Sequence, residues 1–132
     1  MRMRVLLKKV GEPLKIVNTT EKYRTDAAKE FLGNVKCEFV YLNNDNRFVF
    51  VCDEDGMTKQ LKPNFLIETE AIPVMPILGD VVFIRTKPVN PVTTEIWDFE
   101  VEDIRPSDID YVKKMLDRNY QMELFYLYAK GV

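Results

Sequence analysis

The sequence predicts a single α+β domain, a mostly antiparallel sheet of about five to seven strands with one short helix and a longer C-terminal helix. Three observations carry this. Val35–Cys52 alternates apolar side chains on both sides of the polar run Asn43-Asn44-Asp45-Asn46, the signature of a hairpin. Val81–Thr86 is β-branched and apolar on both faces, as a central strand is. Ile109, Val112, Leu116, Tyr120, Leu124 and Leu127 recur at helical steps behind Pro106.

In chain order, Met3–Val10 reads as a strand, Gly11-Glu12 as a turn, and Pro13–Asn18 as a second strand. The expected register sets Leu7 opposite Ile16 and Leu6 opposite Val17. Proline has no backbone N–H, so the second strand belongs at a sheet edge. Thr19-Thr20 offers an N-cap and Gly33 a C′ residue for a helix over Glu21–Leu32. Arg24-Thr25-Asp26 is an alternative start.

In the hairpin, a four-residue tip sets Tyr41 opposite Phe48, Phe39 opposite Phe50, Cys37 opposite Cys52 and Lys36 opposite Asp53. The Cys37/Phe39/Tyr41 side is then the core face. Asp53-Glu54-Asp55-Gly56 reads as a turn, followed by a short strand Met57–Leu61 and a break at Lys62-Pro63-Asn64. Phe65–Ile67 is a short apolar segment, and Pro73 and Pro76 mark an extended loop to Gly79-Asp80. Lys87–Thr94 is a loop and Glu95–Val101 a strand. Ser107 and Asp110 form a capping-box pattern for the last helix, which Asn119 divides. The expected core is Leu7, Ile16, Phe31, Phe39, Phe50, Val82, Ile84, Trp97, Phe99, Val112 and Leu116.

With 132 residues, 46% hydrophobic and 30% charged, the chain forms one domain over 1–132 and needs no staples. Residues 119–132 are a candidate partner-contacting helical tail. A net charge of −2 gives no global field for phosphates. No apolar run reaches the roughly 20 residues that span a bilayer. Lys8-Lys9 interrupts the N-terminal apolar stretch, so no signal peptide is read, and two cysteines fit a cytoplasmic setting. Histidine is absent, which removes histidine bases, His-containing triads and histidine metal ligands. Gly11, Gly33, Gly56, Gly79 and Gly131 are isolated, so there is no glycine-rich phosphate loop. No cofactor is implied.

Several segments resemble one family. They are the strand Met3–Leu7, then Phe31-Leu32-Gly33 leading into a strand, then Phe48-Val49-Phe50-Val51-Cys52-Asp53-Glu54-Asp55-Gly56 with Leu61-Lys62-Pro63-Asn64, then Gly79-Asp80-Val81-Val82-Phe83-Ile84 and Asp103–Tyr111. Together they resemble the uncharacterised domain-of-unknown-function 3846 family of small phage, plasmid and mobile-element proteins. The resemblance covers Met3 to Leu116 and includes no catalytic signature. Lys62 stands where that family often has proline. The resemblance implies genomic company and fold, and an accessory or inhibitor role exercised by binding protein.

Each candidate constellation has an ordinary structural alternative. Directly opposed Cys37 and Cys52 would bring their Cα atoms to about 4.5 Å, near the lower end of disulfide range, and form a redox pair. Buried thiols are the plainer reading. Asp98, Glu100, Glu102 and Asp103 form an acidic stripe that a metal-dependent hydrolase would need, and that a solvated strand face also produces. Asp53-Glu54-Asp55-Gly56 lacks EF-hand spacing. Arg2, Arg4, Lys8 and Lys15 are too few, and their neighbouring aromatics too committed to the core, to favour nucleic acid.

The leading reading is a non-enzymatic interaction protein. Its contact candidates are Asn44, Asp45 and Arg47 at the hairpin tip and Phe125, Tyr126 and Tyr128 in the tail. The consecutive apolar run Leu124–Tyr128 cannot share one helix stripe, so the domain, a second copy or another protein should cover it. The runner-up is a small-ligand or nucleotide-binding domain with Asp53, Asp55, Lys59, Lys62 and Asn64 as polar contacts.

Overall fold

A computed structural model describes residues 2–67, 74–88 and 99–117. It shows the predicted α+β class. The strands are β1 (Met3–Lys8), β2 (Lys15–Thr19), β3 (Cys37–Leu42), β4 (Asp45–Asp53), β5 (Pro63–Ile67), β6 (Met75–Leu78), β7 (Val81–Thr86) and β8 (Val101–Glu102). The helices are α1 (Arg24–Leu32) and α2 (Pro106–Asp117). The main sheet runs β2-β1-β7-β4-β3, with β8 paired to β7 beyond β1, and every pairing is antiparallel. β5 and β6 form a separate two-stranded ribbon.

β7 is central as its apolar faces predict, and every residue of it is buried. The sheet separates two cores. On one face Val5, Leu7, Val49, Val51, Val82 and Ile84 meet Ala27 and Ala28 of α1. On the other, Leu6, Phe48, Phe50 and Phe83 meet Phe65 and Ile67 of the ribbon and Val112 of α2. A sheet covered on both sides explains the near-continuous apolar runs of β4 and β7.

The hairpin has a different register from the expected one. Asn43 and Asn44 both take positive φ, 54° and 52°, giving a two-residue turn of the I′ kind whose twist suits a hairpin. Leu42 therefore pairs with Asp45, and a bulge on β4 resets the ladder to Tyr41–Val49, Phe39–Val51 and Cys37–Asp53. A one-residue slip exchanges faces. Phe48, Phe50 and Cys52 point to the α2 side, whereas Cys37 and Phe39 pack on the α1 side. Tyr41 is 49% exposed and lies outside the core. The same slip pairs Lys36 with Glu54, at 3.3 Å, in place of Asp53.

β1 and β2 also differ by one. Glu12 N–H bonds to Lys9 O over a turn with Gly11 at φ 73°, so Leu6, not Leu7, faces Ile16. β2 is an edge strand, as Pro13 predicts, and Ile16 is 53% exposed there, outside the expected core. Leu7, Phe50, Val82, Ile84 and Val112 are buried as expected. Phe31, Phe39 and Leu116 pack half-buried against the cores, and Phe99 is half-buried. Trp97 lies outside the described residues.

α1 starts at Arg24, the alternative start, and not directly behind the Thr19-Thr20 cap. Lys22–Arg24 is instead drawn into strand-like pairing, with Arg24 N–H bonded to Phe99 O and Val101 N–H to Lys22 O. The Arg24 guanidinium lies 4.0 Å from the Phe39 ring centre and 4.4 Å from that of Phe99. Thr19 Oγ1 instead donates to Glu30 and accepts from Glu21 N–H. Gly33 ends the helix at φ 82°, its N–H bonded to Lys29 O.

Met57–Leu61 is a series of turns, not a strand. Lys59 N–H bonds to Asp55 O, Leu61 N–H to Gly56 O, and Gln60 adopts φ 55°. Met75–Leu78, expected as loop, is β6, an edge strand where Pro76 is tolerated. The start of α2 is not the predicted Ser107/Asp110 box. Pro106 takes the first helical position, and Asp108 reaches back to accept Arg105 N–H at 3.0 Å. Of the predicted strand Glu95–Val101, only its end is described, as β8. The division at Asn119 and the tail 119–132 lie outside the described residues.

Candidate functional site

The loops at one end of the sheet enclose an open cleft of about 450 Å³. It is lined by Val10, Leu32, Val35, Asp53, Lys59, Leu61, Lys62, Gly79 and Asp80. The volume is within the roughly 300–1,000 Å³ of small-molecule pockets.

Asp53 ends β4 with its carboxylate turned into the following loop. One oxygen accepts Asp55 N–H at 2.9 Å and the other the Lys59 ammonium at 2.6 Å. Burial alone would raise its pKa, but Lys59 and the Asp55 N–H outweigh that and hold it below the usual range. Lys62 is exposed, and its ammonium has no partner among the described residues. Opposite the loop, one oxygen of Asp80 accepts Val10 N–H at 2.9 Å and fixes the β1–β2 turn.

Asn64 holds these loops together from beneath. Its amide donates to Lys8 O at 2.8 Å and Gly79 O at 2.9 Å, and its carbonyl accepts Lys8 Nζ at 3.0 Å. Both of its amide hydrogens and its carbonyl oxygen are engaged within the chain and it is not in the cleft lining, so Asn64 positions the loops around the cleft. Lys8 Nζ also reaches Lys9 O at 2.9 Å, and partial burial lowers its pKa. Gly79 closes the rim with its N–H on Lys62 O at 2.8 Å. Its φ is 78°, and a Cβ there would lie 2.8 Å from Leu61 Cδ1. Gly79→Ala should therefore cost more than about 1 kcal/mol and displace Leu61 from the cleft wall. A denaturation midpoint equal to wild type would contradict this.

Of the predicted ligand residues, Asp53, Lys59 and Lys62 come together in the cleft. Asp55 is exposed and outside its lining. Sequence reasoning missed Asp80, for which the only signal was the Gly79-Asp80 turn, and the aliphatic wall Val10, Leu32, Val35 and Leu61, whose members are far apart in the chain.

At the hairpin tip Asn44 is exposed, but Asp45 is part of a structural cluster. Arg85, buried at the end of β7, makes two 2.6 Å bonds to Asp108 and one of 2.9 Å to Asp45. Asp45 also accepts Arg47 N–H, and Arg47 O accepts the Thr86 hydroxyl. The tip is thus anchored to the central strand and α2. Phe125, Tyr126 and Tyr128 lie outside the described residues.

Cys37 and Cys52 are on opposite faces of the hairpin and are not bonded to each other, which removes the redox pair. Burial, with Glu38 and Asp53 nearby, pushes the Cys52 thiol up to about 12. Its thiolate is negligible near neutral pH, so Cys52 should resist alkylation until the chain unfolds. Rapid native labelling of Cys52, read by mass spectrometry of peptides, would contradict this.

The acidic stripe is dispersed among separate cations. Glu100 lies 3.2 Å from Lys22 and 3.8 Å from Lys87, Glu102 lies 3.4 Å from Arg105, and Asp103 pairs with Arg4 at 2.8 Å. Asp98 is outside the described residues, among which no group of three metal-ligating side chains converges. The hydrolase reading loses its geometric basis here. Of the four basic residues too few to favour nucleic acid, Arg4 is paired with Asp103 and Lys15 with Glu12.

Asp103, beside Arg4, is held below the usual carboxylate value of 3.8, as are Asp53 and, despite burial, Asp45 beside Arg47 N–H and Arg85. Depressed folded pKa values give stability that is present above 3.8 and lost as pH falls through the folded values. Urea midpoints should therefore fall between about pH 5 and about pH 2.5. An unchanged midpoint would show that these contacts contribute nothing.

The fold and site define a class, an α+β domain with an open amphipathic cleft at one end of its sheet. No family model matches the chain, and searches of curated proteins and solved structures return no significant match either. Among the described residues no helix is long and apolar enough to cross a membrane.

Proposed function

We propose that this chain is a non-enzymatic binding domain that takes a small ligand in the cleft between the 53–62 loop and the Gly79-Asp80 turn. The observation that supports it is the convergence of Lys62, Asp80 and the Asp53–Lys59 pair on one aliphatic-walled cleft. A few polar groups on an apolar wall are the usual composition of a ligand site. Its charged groups can pair with a ligand's charges and its aliphatic wall can cover a ligand's apolar body, which suits recognition.

The test is a thermal-shift screen of the full chain with metabolites and nucleotides. A ligand that binds only the folded state raises the melting temperature in a concentration-dependent way. The expected result is a shift that Lys62→Gln diminishes. A flat response across the panel, or a shift indifferent to Lys62→Gln, would count against the cleft.

A second reading, a protein contact at the hairpin tip, is favoured by Tyr41, half-exposed beside the Asn43-Asn44 turn that Arg85 and Asp45 hold in place. Rigidly mounted loops serve recognition well. It accords with the resemblance to phage and mobile-element accessory proteins, and with an inhibitor or accessory role. Here a stoichiometric partner should survive nuclease and be lost with Tyr41→Ser at unchanged melting temperature. Retention of that partner by the variant would remove the tip from consideration.

A further inference from the structure

We infer that the cleft ligand is a small zwitterion with a branched aliphatic body, of the free α-amino-acid class; this rests on the small-ligand reading above. Four features of the lining select that chemistry.

The charges of the lining cancel. Lys59 and Lys62 face Asp53 and Asp80, two cations against two carboxylates. A polyanion such as a nucleoside triphosphate would meet as much repulsion as attraction, and α1 contributes its C-terminal residue Leu32, not an N-terminus that could bind phosphate.

Only part of that charge is committed. The Lys59–Asp53 pair closes on itself at 2.6 Å. The Lys62 ammonium has no partner among the described residues. Asp80 gives one oxygen to Val10 N–H and interacts electrostatically with the Lys8 ammonium, whose hydrogen bonds go to Lys9 O and Asn64, so its second oxygen accepts no hydrogen bond among those residues. One open cation and one open carboxylate oxygen in the same cleft match a ligand that carries one carboxylate and one ammonium.

The C-terminal end of α1 adds partial negative charge beside the lining, which again favours an ammonium. The wall itself is aliphatic, with Val10, Leu32, Val35 and Leu61 and no aromatic residue among the described ones. A nucleobase or other flat ring has no face to stack on, whereas a branched alkyl chain packs against these side chains.

The experiment is isothermal titration of the full chain with L-leucine, L-valine, isovalerate, isoamylamine and AMP. Leucine and valine should bind. Isovalerate, which lacks the ammonium, and isoamylamine, which lacks the carboxylate, should each bind at least about tenfold more weakly. Lys62→Gln should weaken leucine but not isoamylamine. Asp80→Asn, which keeps an oxygen for Val10 N–H, should weaken leucine but not isovalerate. No heat with leucine or valine overturns the inference, as does equal binding of leucine and isovalerate. If AMP or another metabolite then binds in a Lys62-dependent way, the cleft survives as a small-ligand site of different chemistry. If a broad metabolite screen is flat as well, that reading falls with the inference.

Discussion

Replacing Asp108 with alanine is expected to lower the unfolding free energy by about 3–5 kcal/mol. Arg85 lies at the end of the central strand with its side chain 4% exposed, and Asp108 is buried against it. Both oxygens of Asp108 bond to the guanidinium at 2.6 Å, and one also accepts Arg105 N–H at the start of α2. Asp45 supplies a single further bond, and Nη1 of Arg85 already has no hydrogen-bond partner among the described residues. Without Asp108 the charge is therefore poorly compensated in a site that water cannot readily reach, and α2 loses its cap. Burying a charge is costly even when it is paired, so the double variant Arg85→Met/Asp108→Leu should recover most of the loss. Urea unfolding of the three proteins tests this. An Asp108→Ala midpoint near wild type would show that the cluster contributes little.

Phe65→Ala is expected to have an effect of similar size, about 3–5 kcal/mol, through loss of buried area and the cavity left behind. Phe65 stands on the ribbon, between Phe50 and Phe83 of the main sheet. Its ring centre is 6.0 Å from Phe50, edge-on, and 6.1 Å from Phe83, nearly stacked. The three rings, with Ile67 and Ile77, join the β5–β6 ribbon to the sheet. The ribbon is flanked by Lys62 at one end of β5 and by Gly79-Asp80 after β6, so loosening it should also disturb the cleft. Ligand response in the thermal-shift screen should weaken by more than the loss of stability alone accounts for. Phe65→Leu, which keeps much of the volume, should lose less in both measurements. Equal effects of the alanine and leucine variants would argue against packing as the cause.

Much of the element pattern was legible because it depends on local chemistry. Pro13 marked an edge strand, Gly33 a helix end, and the β-branched run of Val81–Thr86 the central strand. Misreadings arose where a local signal met a tertiary one. Thr19-Thr20 is a good cap, but pairing of Lys22–Arg24 with the segment around Phe99 and Val101 claims that backbone for extended structure. The alternation of β3 and β4 fixes a hairpin but not its register, because both faces are apolar and a one-residue slip leaves each with a buried set. The two-residue Asn43-Asn44 turn and the β4 bulge decide it, and in doing so they separate Cys37 from Cys52.

The candidate site shows the same division. Lys59, Lys62 and Asp53 could be nominated from one polar loop, since they are neighbours in the chain. Asn64 was nominated as a ligand contact, whereas the structure shows its side chain joining Lys8 to Gly79, because residue type reveals hydrogen-bonding capacity and not which groups use it. Asp80, Val10, Leu32 and Val35 could not be nominated at all, because they reach the cleft from three other connections. By itself the sequence determined the fold class, the order and type of most elements and the absence of histidine chemistry, all consequences of residue type and short-range periodicity. Only the tertiary structure decided register, the Asp45–Arg85–Asp108 cluster and the composition of the cleft. These depend on contacts between residues distant in the chain, whose geometry is set by packing on the two faces of the sheet.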